Sequence, residues 1–162
     1  MKTIKLQRGP LLCWDIYSGY LAQQAKNFNR QLELDFLKSL KRQYNLLLDF
    51  DLLLENRDFD ALVLTNANQE ICWVNKGFTK MTGYSTKYAV GKKPNFLQGE
   101  ATSKTKVDNI RMHIKRGIAV KENVINYRKN GEAYHCEIHI LPLKDQHQNI
   151  THLLALENVV NN

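Results

Sequence analysis

The segment from residue 71 to residue 99 constrains the fold most, because its polar and glycine residues mark where elements begin and end. Residues 71–75 carry large apolar side chains in alternation, which predicts a strand. Asn75 can cap a following helix, since its side-chain oxygen can accept from the first free amides. Gly83 can end that helix, and Ser85 can cap a second one. The segment therefore predicts a strand followed by two short helices.

Alternating apolar residues and turn residues predict four more strands along the chain. A longer helix is predicted to begin at Thr102-Ser103 and to end at Gly117, with an apolar face towards the sheet. Asn130-Gly131 predicts a two-residue hairpin turn of type I′. The remaining strands are predicted at residues 60–66, 119–128, 132–143 and 150–159. Five strands with helices inserted after the second indicate an α+β fold, an antiparallel sheet with helices on one face.

Residues 15–56 predict a long amphipathic helical segment, since they lack proline and are rich in helix-forming residues. Leucines recur at seven-residue spacing along it and form an apolar stripe. In one interpretation the helix folds back on its own sheet, and in the other it pairs with a second chain. One helix and two helices, with a bend near residues 19–29, are both compatible with the sequence. The candidate interface residues are Phe36, Leu40, Tyr44, Leu47 and Leu54.

Charge and cysteine usage argue against several classes of protein. The formal net charge of +7 divides into +3 for residues 1–57 and +4 for residues 58–162, which indicates a solvated surface rather than a nucleic-acid-binding face. No stretch is long and apolar enough to span a membrane. Cys13, Cys72 and Cys136 lack paired or metal-type spacing, which favours reduced thiols. We therefore expect a cytoplasmic protein with neither a nucleic-acid nor a membrane partner.

Three motifs carry a resemblance to a known family: VNKGFTKMTGYS (74–85), GKKPNFLQG (91–99) and NYRKNG (126–131). Residues 58–160 resemble a PAS domain and are similar to its light-oxygen-voltage (LOV) branch. The resemblance implies a PAS fold for residues 58–162, preceded by a helical extension over residues 1–57. PAS domains commonly carry flanking helices that dimerise, so the resemblance favours a symmetric homodimer formed through the extension.

The LOV branch implies a flavin site, and this sequence departs from it. In that branch a cysteine of the Gly-x-x-Cys-x-Phe-Leu-Gln loop forms a light-driven adduct, and polar side chains of the last three strands bind the ring. The matching position here is Pro94, which has no thiol. Gln98 and Asn126 keep the family pattern. The other departures are Lys93, Asn95, Cys136 and Glu157. We therefore expect no adduct and no bound cofactor.

A small-ligand or cofactor receptor is the alternative function, with flavin or haem as the cofactor to test. His113 stands where a haem ligand would be, but one position off the apolar helix face. Glu157 is expected to point inwards beside Asn126, either reached by water or recognising a ligand that bears a hydrogen-bond donor. The candidate pocket consists of Val63, Thr65, Gln98, Ile110, Ile114, Asn126, Cys136, Ile138 and Glu157.

No sequence motif indicates catalysis, a metal site or an output domain. A nucleophile elbow, a phosphate-binding glycine loop and a kinase histidine box are all missing from the sequence. We therefore expect a bacterial signal-sensing or protein-interaction module that acts through dimerisation and helix–sheet packing, with a partner protein supplying the output.

Overall fold

The structure, a computed structural model, describes residues 11–55 and 57–160, with side chains from residue 14 onwards. The thiol of Cys13 lies outside the described side chains. The helices are α1 (Leu11–Tyr44), α2 (Phe50–Glu55), α3 (Lys76–Thr82), α4 (Thr86–Ala89), a 3-10 turn (Pro94–Leu97) and α5 (Lys104–Arg116). The strands are β1 (Ala61–Asn66), β2 (Ile71–Val74), β3 (Val120–Tyr127), β4 (Ala133–Lys144) and β5 (Ile150–Val159).

The five strands form one antiparallel sheet in the order β2-β1-β5-β4-β3, which confirms the predicted α+β fold. Strand β1 lies between β2 and β5 and is buried on both faces. Its Ala61 and Val63 join an inner cluster with α3, α4 and the 3-10 turn, whereas Leu62 and Leu64 join an outer cluster with α1 and α2. The short helices between β2 and β3 thus cover one face, as predicted, and the N-terminal extension covers the other.

The helical extension folds back on the outer face of its own sheet. Helix α1 ends at Tyr44, and Asn45 takes a positive φ of 49° that turns the chain. Asparagine tolerates this left-handed conformation better than most residues, so it can end a helix without glycine. The break therefore lies at residues 45–49, not near residues 19–29. The buried outer cluster comprises Leu37, Leu40, Leu46, Phe50, Leu53, Leu54, Leu62, Leu64, Leu143, Leu154 and Leu156.

The helices of the inner face begin where their capping residues predicted, and α3 and α5 also end there, whereas α4 ends at Ala89, two residues before Gly91, the glycine expected to end it. The Asn75 side chain accepts from the Phe78 amide, and Ser85 accepts from the Tyr88 amide. Gly83 ends α3 with φ 77°. At α5, Ser103 is the N-cap and a glycine with φ 67° is the C-cap. Local hydrogen-bonding chemistry is therefore sufficient to set these boundaries.

The predicted type I′ turn is wrong. Gly131 takes a positive φ of 88°, but Asn130 does not, and a type I′ turn needs both. The Arg128 amide donates to the Glu132 carbonyl, and the Gly131 amide donates to the Arg128 carbonyl. The connection is therefore a longer loop in which glycine alone supplies the left-handed residue.

One side chain joins α1 to the sheet and to α3. The Asn75 side-chain oxygen accepts from the amides of Leu62 and Phe78, both at 3.0 Å, while its amide nitrogen donates to the Glu33 carboxylate at 2.8 Å. Burial raises the pKa of Glu33. A shift of α1 therefore acts directly on the start of α3.

Four of the five candidate interface residues have side chains that contact the chain itself. Leu40 and Leu54 lie in the outer cluster, and Phe36 stacks on the Trp73 ring at 4.5 Å. Tyr44 makes an edge contact with His152, whereas the fifth residue, Leu47, is 54% exposed. Pairing with a second chain stays a prediction, and Leu40 and Leu54 have little surface left for it.

Candidate ligand cavity

A cavity of about 730 Å³ lies between the inner face of the sheet and α5. Its volume is within the range of about 300–1,000 Å³ that is typical of small-molecule sites. The lining residues are Val63, Thr65, Ala67, Gln69, Lys93, Pro94, Asn95, Gln98, Val107, Ile110, Arg111, Ile114, Lys115, Ile138, Ile140, Ile150, Leu153, Ala155 and Glu157.

Seven of the nine predicted pocket residues line this cavity, and two do not. Asn126 and Cys136 are 3% and 0% exposed, but they lie towards the β3–β4 hairpin. There Cys136 packs in the inner cluster with Phe78 and Met81, so the short helices fill the space beside it. The seven residues on the wall are Val63, Thr65, Gln98, Ile110, Ile114, Ile138 and Glu157.

Glu157 places a carboxyl group at the buried end of the cavity. Its side chain is 4% exposed, and its Oε2 atom has no hydrogen-bond partner among the described residues. The neighbours across the sheet, Ala61 and Ile138, are apolar. Burial raises the pKa of Glu157 to about 7, because the charged form loses its hydration. Near neutral pH the carboxyl group can therefore accept or donate a hydrogen bond.

Tyr134 and Cys136 extend the buried polar region beside Glu157. The Tyr134 hydroxyl lies beside Asn126 but forms no hydrogen bond of ordinary geometry within the described part of the chain. Burial and the nearby Glu157 carboxylate raise the pKa values of both the Tyr134 hydroxyl and the Cys136 thiol. Cys136 is therefore a neutral thiol, and a neutral thiol is a poor nucleophile.

The opposite end of the cavity carries positive charge. Lys93, Arg111 and Lys115 contribute to the lining there and are exposed to solvent. Arg111 also pairs with Asp108 at 2.9 Å. The sequence interpretation missed Arg111 and Lys115, although they flank Ile114 on the same helix and their positions next to an apolar face were a usable signal. The cavity thus has apolar sides, a carboxyl group within and cations at its mouth.

The structure gives no support to a haem or metal site. His113 is not part of the cavity wall, and its Nδ1 atom lies 2.8 Å from the Asn109 carbonyl on its own helix. Within residues 11–55 and 57–160, no group of three or more His, Cys, Asp or Glu side chains is arranged to hold a metal ion.

An antiparallel sheet in this order, with short capped helices over one face and a cavity beneath them, defines a PAS-type sensor domain. The family model for the PAS domain matches residues 60–160, so the chain belongs to the PAS domain family. This match bears out the resemblance found in the sequence.

The relatives of the chain include LOV proteins. It is 34% identical over 106 residues to a blue-light photoreceptor of Listeria monocytogenes, covering 62% of this chain and 42% of the relative. It is 31% identical over 93 residues to phototropin-1A of rice, covering 57% of this chain and 10% of the relative. A solved structure from work on a flavin analogue and the LOV mechanism is 26% identical, with a TM-score of 0.64, covering 70% of this chain and 87% of that one. The chain thus spans less than half the length of these two relatives.

Proposed function

We propose that this chain is a sensor module that holds a small ligand non-covalently in the inner cavity and passes its state to α1. The observation that carries the proposal is the buried Glu157 oxygen that has no hydrogen-bond partner among the described residues and lies on the wall of a cavity of about 730 Å³. A buried polar atom without a partner costs free energy, which a ligand that hydrogen-bonds to it would recover. The relatives make this alternative a better account than the cofactor-free interaction module expected from the sequence.

A flavin is the ligand class that the cavity and the relatives favour together. Val63, Ile110 and Ile138 offer apolar walls for a ring, and the cations at the mouth suit an anionic tail. A bound flavin would supply absorption of blue light and redox chemistry. Pro94 lines the cavity where the resemblance implies the reactive cysteine, so we propose that no thiol adduct forms. The module would catalyse no reaction itself.

The test is binding of flavin mononucleotide to the full chain, measured by the quenching of flavin fluorescence and by native mass spectrometry. We expect a one-to-one complex, and we expect Ile138→Trp to abolish it by filling the cavity. Leu52→Trp adds the same ring at a site that is 63% exposed and should leave binding unchanged. If Ile138→Trp binds flavin as well as Leu52→Trp does, the cavity is not the site.

Dimerisation through residues 14–32 of α1 is a second candidate function, and one observation favours it. Seven large apolar side chains in this part of the helix are exposed, at 48–71% of their surface. Soluble domains seldom leave so many such residues together in water, whereas a symmetric partner would cover them. The seven are Trp14, Ile16, Tyr17, Tyr20, Leu21, Phe28 and Leu32.

Within this proposal, residues 1–57 are the dimerising extension and residues 58–162 are the sensing domain, with the output supplied by a partner. Leu21→Glu with Phe28→Glu should convert a dimer to a monomer in light scattering, because two charges per chain would be buried. Leu52→Glu, on an exposed site of α2, is the matched control. A dimer that survives the double substitution would contradict this interface.

A further inference from the structure

The positive charge of the molecule is concentrated in the segment from α3 to α5, which covers the inner face of the sheet; we call this the helical side. Between residues 76 and 116 there are ten Lys and Arg residues and two acidic ones, a net charge of +8, while the rest of the chain has thirteen and fourteen, a net charge of −1. All ten cationic side chains are exposed. We call these ten side chains the basic layer. A division of the sequence at residue 57 conceals it, because acidic residues elsewhere in 58–162 offset the sum.

Few charges of the basic layer are neutralised within the chain. Among the described residues, Arg111 is the one member paired with a carboxylate, that of Asp108. Lys106 donates to a backbone carbonyl, and the ammonium of Lys92 lies 3.1 Å from the centre of the Tyr88 ring. Neither contact removes the positive charge. The helical side therefore presents a strong field that attracts an anionic surface.

Exposed apolar side chains accompany the basic layer. Within residues 58–159, the large hydrophobic side chains that are exposed are Tyr88, Val90, Met112 and Ile118, at 42–51% of their surface. All four lie within residues 76–118, the same segment that carries the basic layer. No helix among the described residues is long and apolar enough to cross a membrane, but binding at a membrane surface needs only charge and modest apolar insertion.

This combination favours a lipid surface over a protein or a nucleic acid. Eight of the ten cations are lysines, which are depleted in protein–protein interfaces and act as point charges towards phosphate. Lys92 already covers the Tyr88 ring, so that ring is not free to stack on a base. A phosphodiester backbone also offers nothing to Val90 and Ile118, whereas the boundary between headgroups and acyl chains does.

We propose that the helical side of the domain docks on an anionic membrane surface, with the basic layer on the phosphate headgroups and with Val90, Met112 and Ile118 entering the boundary between headgroups and acyl chains. This inference does not rest on the α1 interface. The basic layer shares Lys93, Arg111 and Lys115 with the cavity mouth, so the variants that test it leave these three residues in place. It revises the expectation of no membrane partner, which considered only a spanning segment.

The test is sedimentation of the full chain with vesicles of phosphatidylglycerol and phosphatidylcholine in equal parts, against phosphatidylcholine alone. We expect binding to the anionic vesicles only, lost at high salt. Lys80→Gln with Lys87→Gln and Lys104→Gln, which spare the cavity, should weaken it about fivefold per lysine, on the order of a hundredfold together. Binding to both vesicle types, or to neither at low salt, would overturn the proposal.

A matched control removes three charges elsewhere, by Lys26→Gln, Arg42→Gln and Lys121→Gln, and should change binding by no more than about twofold, because these charges lie away from the surface. Equal losses in both triple variants would overturn the assignment to the helical side.

Val90→Ser with Ile118→Ser should also weaken vesicle binding, and unchanged binding would overturn the lipid assignment. Tighter binding to duplex DNA than to vesicles would replace a membrane with a nucleic acid.

Discussion

On the outer side of the sheet, α1 and α2 close a cluster in which Leu37, Leu62 and Leu143 are 0% exposed. On the inner side, the short helices leave a cavity of about 730 Å³ with a buried carboxyl oxygen that has no partner among the described residues. Both sides use the same strands, with alternate residues facing each way. The comparison indicates that the outer side stabilises the fold, whereas the inner side gives up stability that a ligand can restore.

The largest expected effect is the difference in stability lost when one apolar side chain is truncated on each side of the sheet. Phe50→Ala, in the outer cluster, should lower the free energy of unfolding by about 3–5 kcal/mol, because it leaves a cavity in closed packing. Ile138→Ala, on a wall that already faces a void, should cost less than about 2 kcal/mol. Urea unfolding at neutral pH measures both. Equal losses would mean that the inner side is packed as tightly as the outer.

The second effect is the dependence of stability on pH, which Glu157 should dominate on the inner side. Its folded pKa of about 7 lies above its ordinary value of 4.5, so its protonated form is favoured by folding. Its contribution is full below pH 4.5, is lost as pH rises through 7, and is worth about 3 kcal/mol at about 1.4 kcal/mol per pKa unit. Glu157→Gln should therefore gain stability relative to wild type over that range, measured by unfolding without ligand.

Histidines provide the check on that profile. Burial lowers the pKa values of His139 and His152, so their contributions are present above pH 6.5 and lost as pH falls. They affect wild type and Glu157→Gln alike and cancel in the difference. A difference that stays flat from pH 4.5 to pH 8 would show that water reaches the carboxyl group.

A smaller effect is expected at the contact between the two sides. Asn75→Ala removes the cap of α3, the acceptor of the buried Leu62 amide and the bond to Glu33 on α1, and should cost about 1–2 kcal/mol. Ser85→Ala removes only a cap at 3.2 Å, with no described contact with α1, and should cost about 0.5–1 kcal/mol. Thermal unfolding measures both losses, and equal losses would mean that the Leu62 and Glu33 bonds together add nothing.

The smallest expected effect is on the solvent side of the extension. Leu47→Ser replaces a side chain that is 54% exposed and should change stability by no more than about 0.5 kcal/mol. Leu40→Ser, seven residues earlier and 7% exposed, should cost several-fold more. Comparable losses would indicate that a second chain covers Leu47.

Elements set by local chemistry could be predicted from the sequence, and those set by packing could not. Asn75, Ser85 and Gly117 determine helix ends through nearby backbone groups, so their roles could be read directly. Glu157 could be placed inwards by strand alternation. The partner of the leucine stripe was ambiguous, since a sheet face and a second helix demand the same pattern. The sequence could not show that Asn126 lies outside the cavity wall, because this depends on where the short helices pack against the sheet.

The Asn75 side chain also makes the attachment of α1 observable from a distance. One oxygen atom holds the amide protons of Leu62 in a strand and Phe78 in a helix, while the nitrogen of the same group is tied to Glu33. If α1 swings away, that side chain becomes free to rotate, and both protons become available to solvent together. Deuterium uptake at these two positions would then report the movement of a helix to which neither belongs.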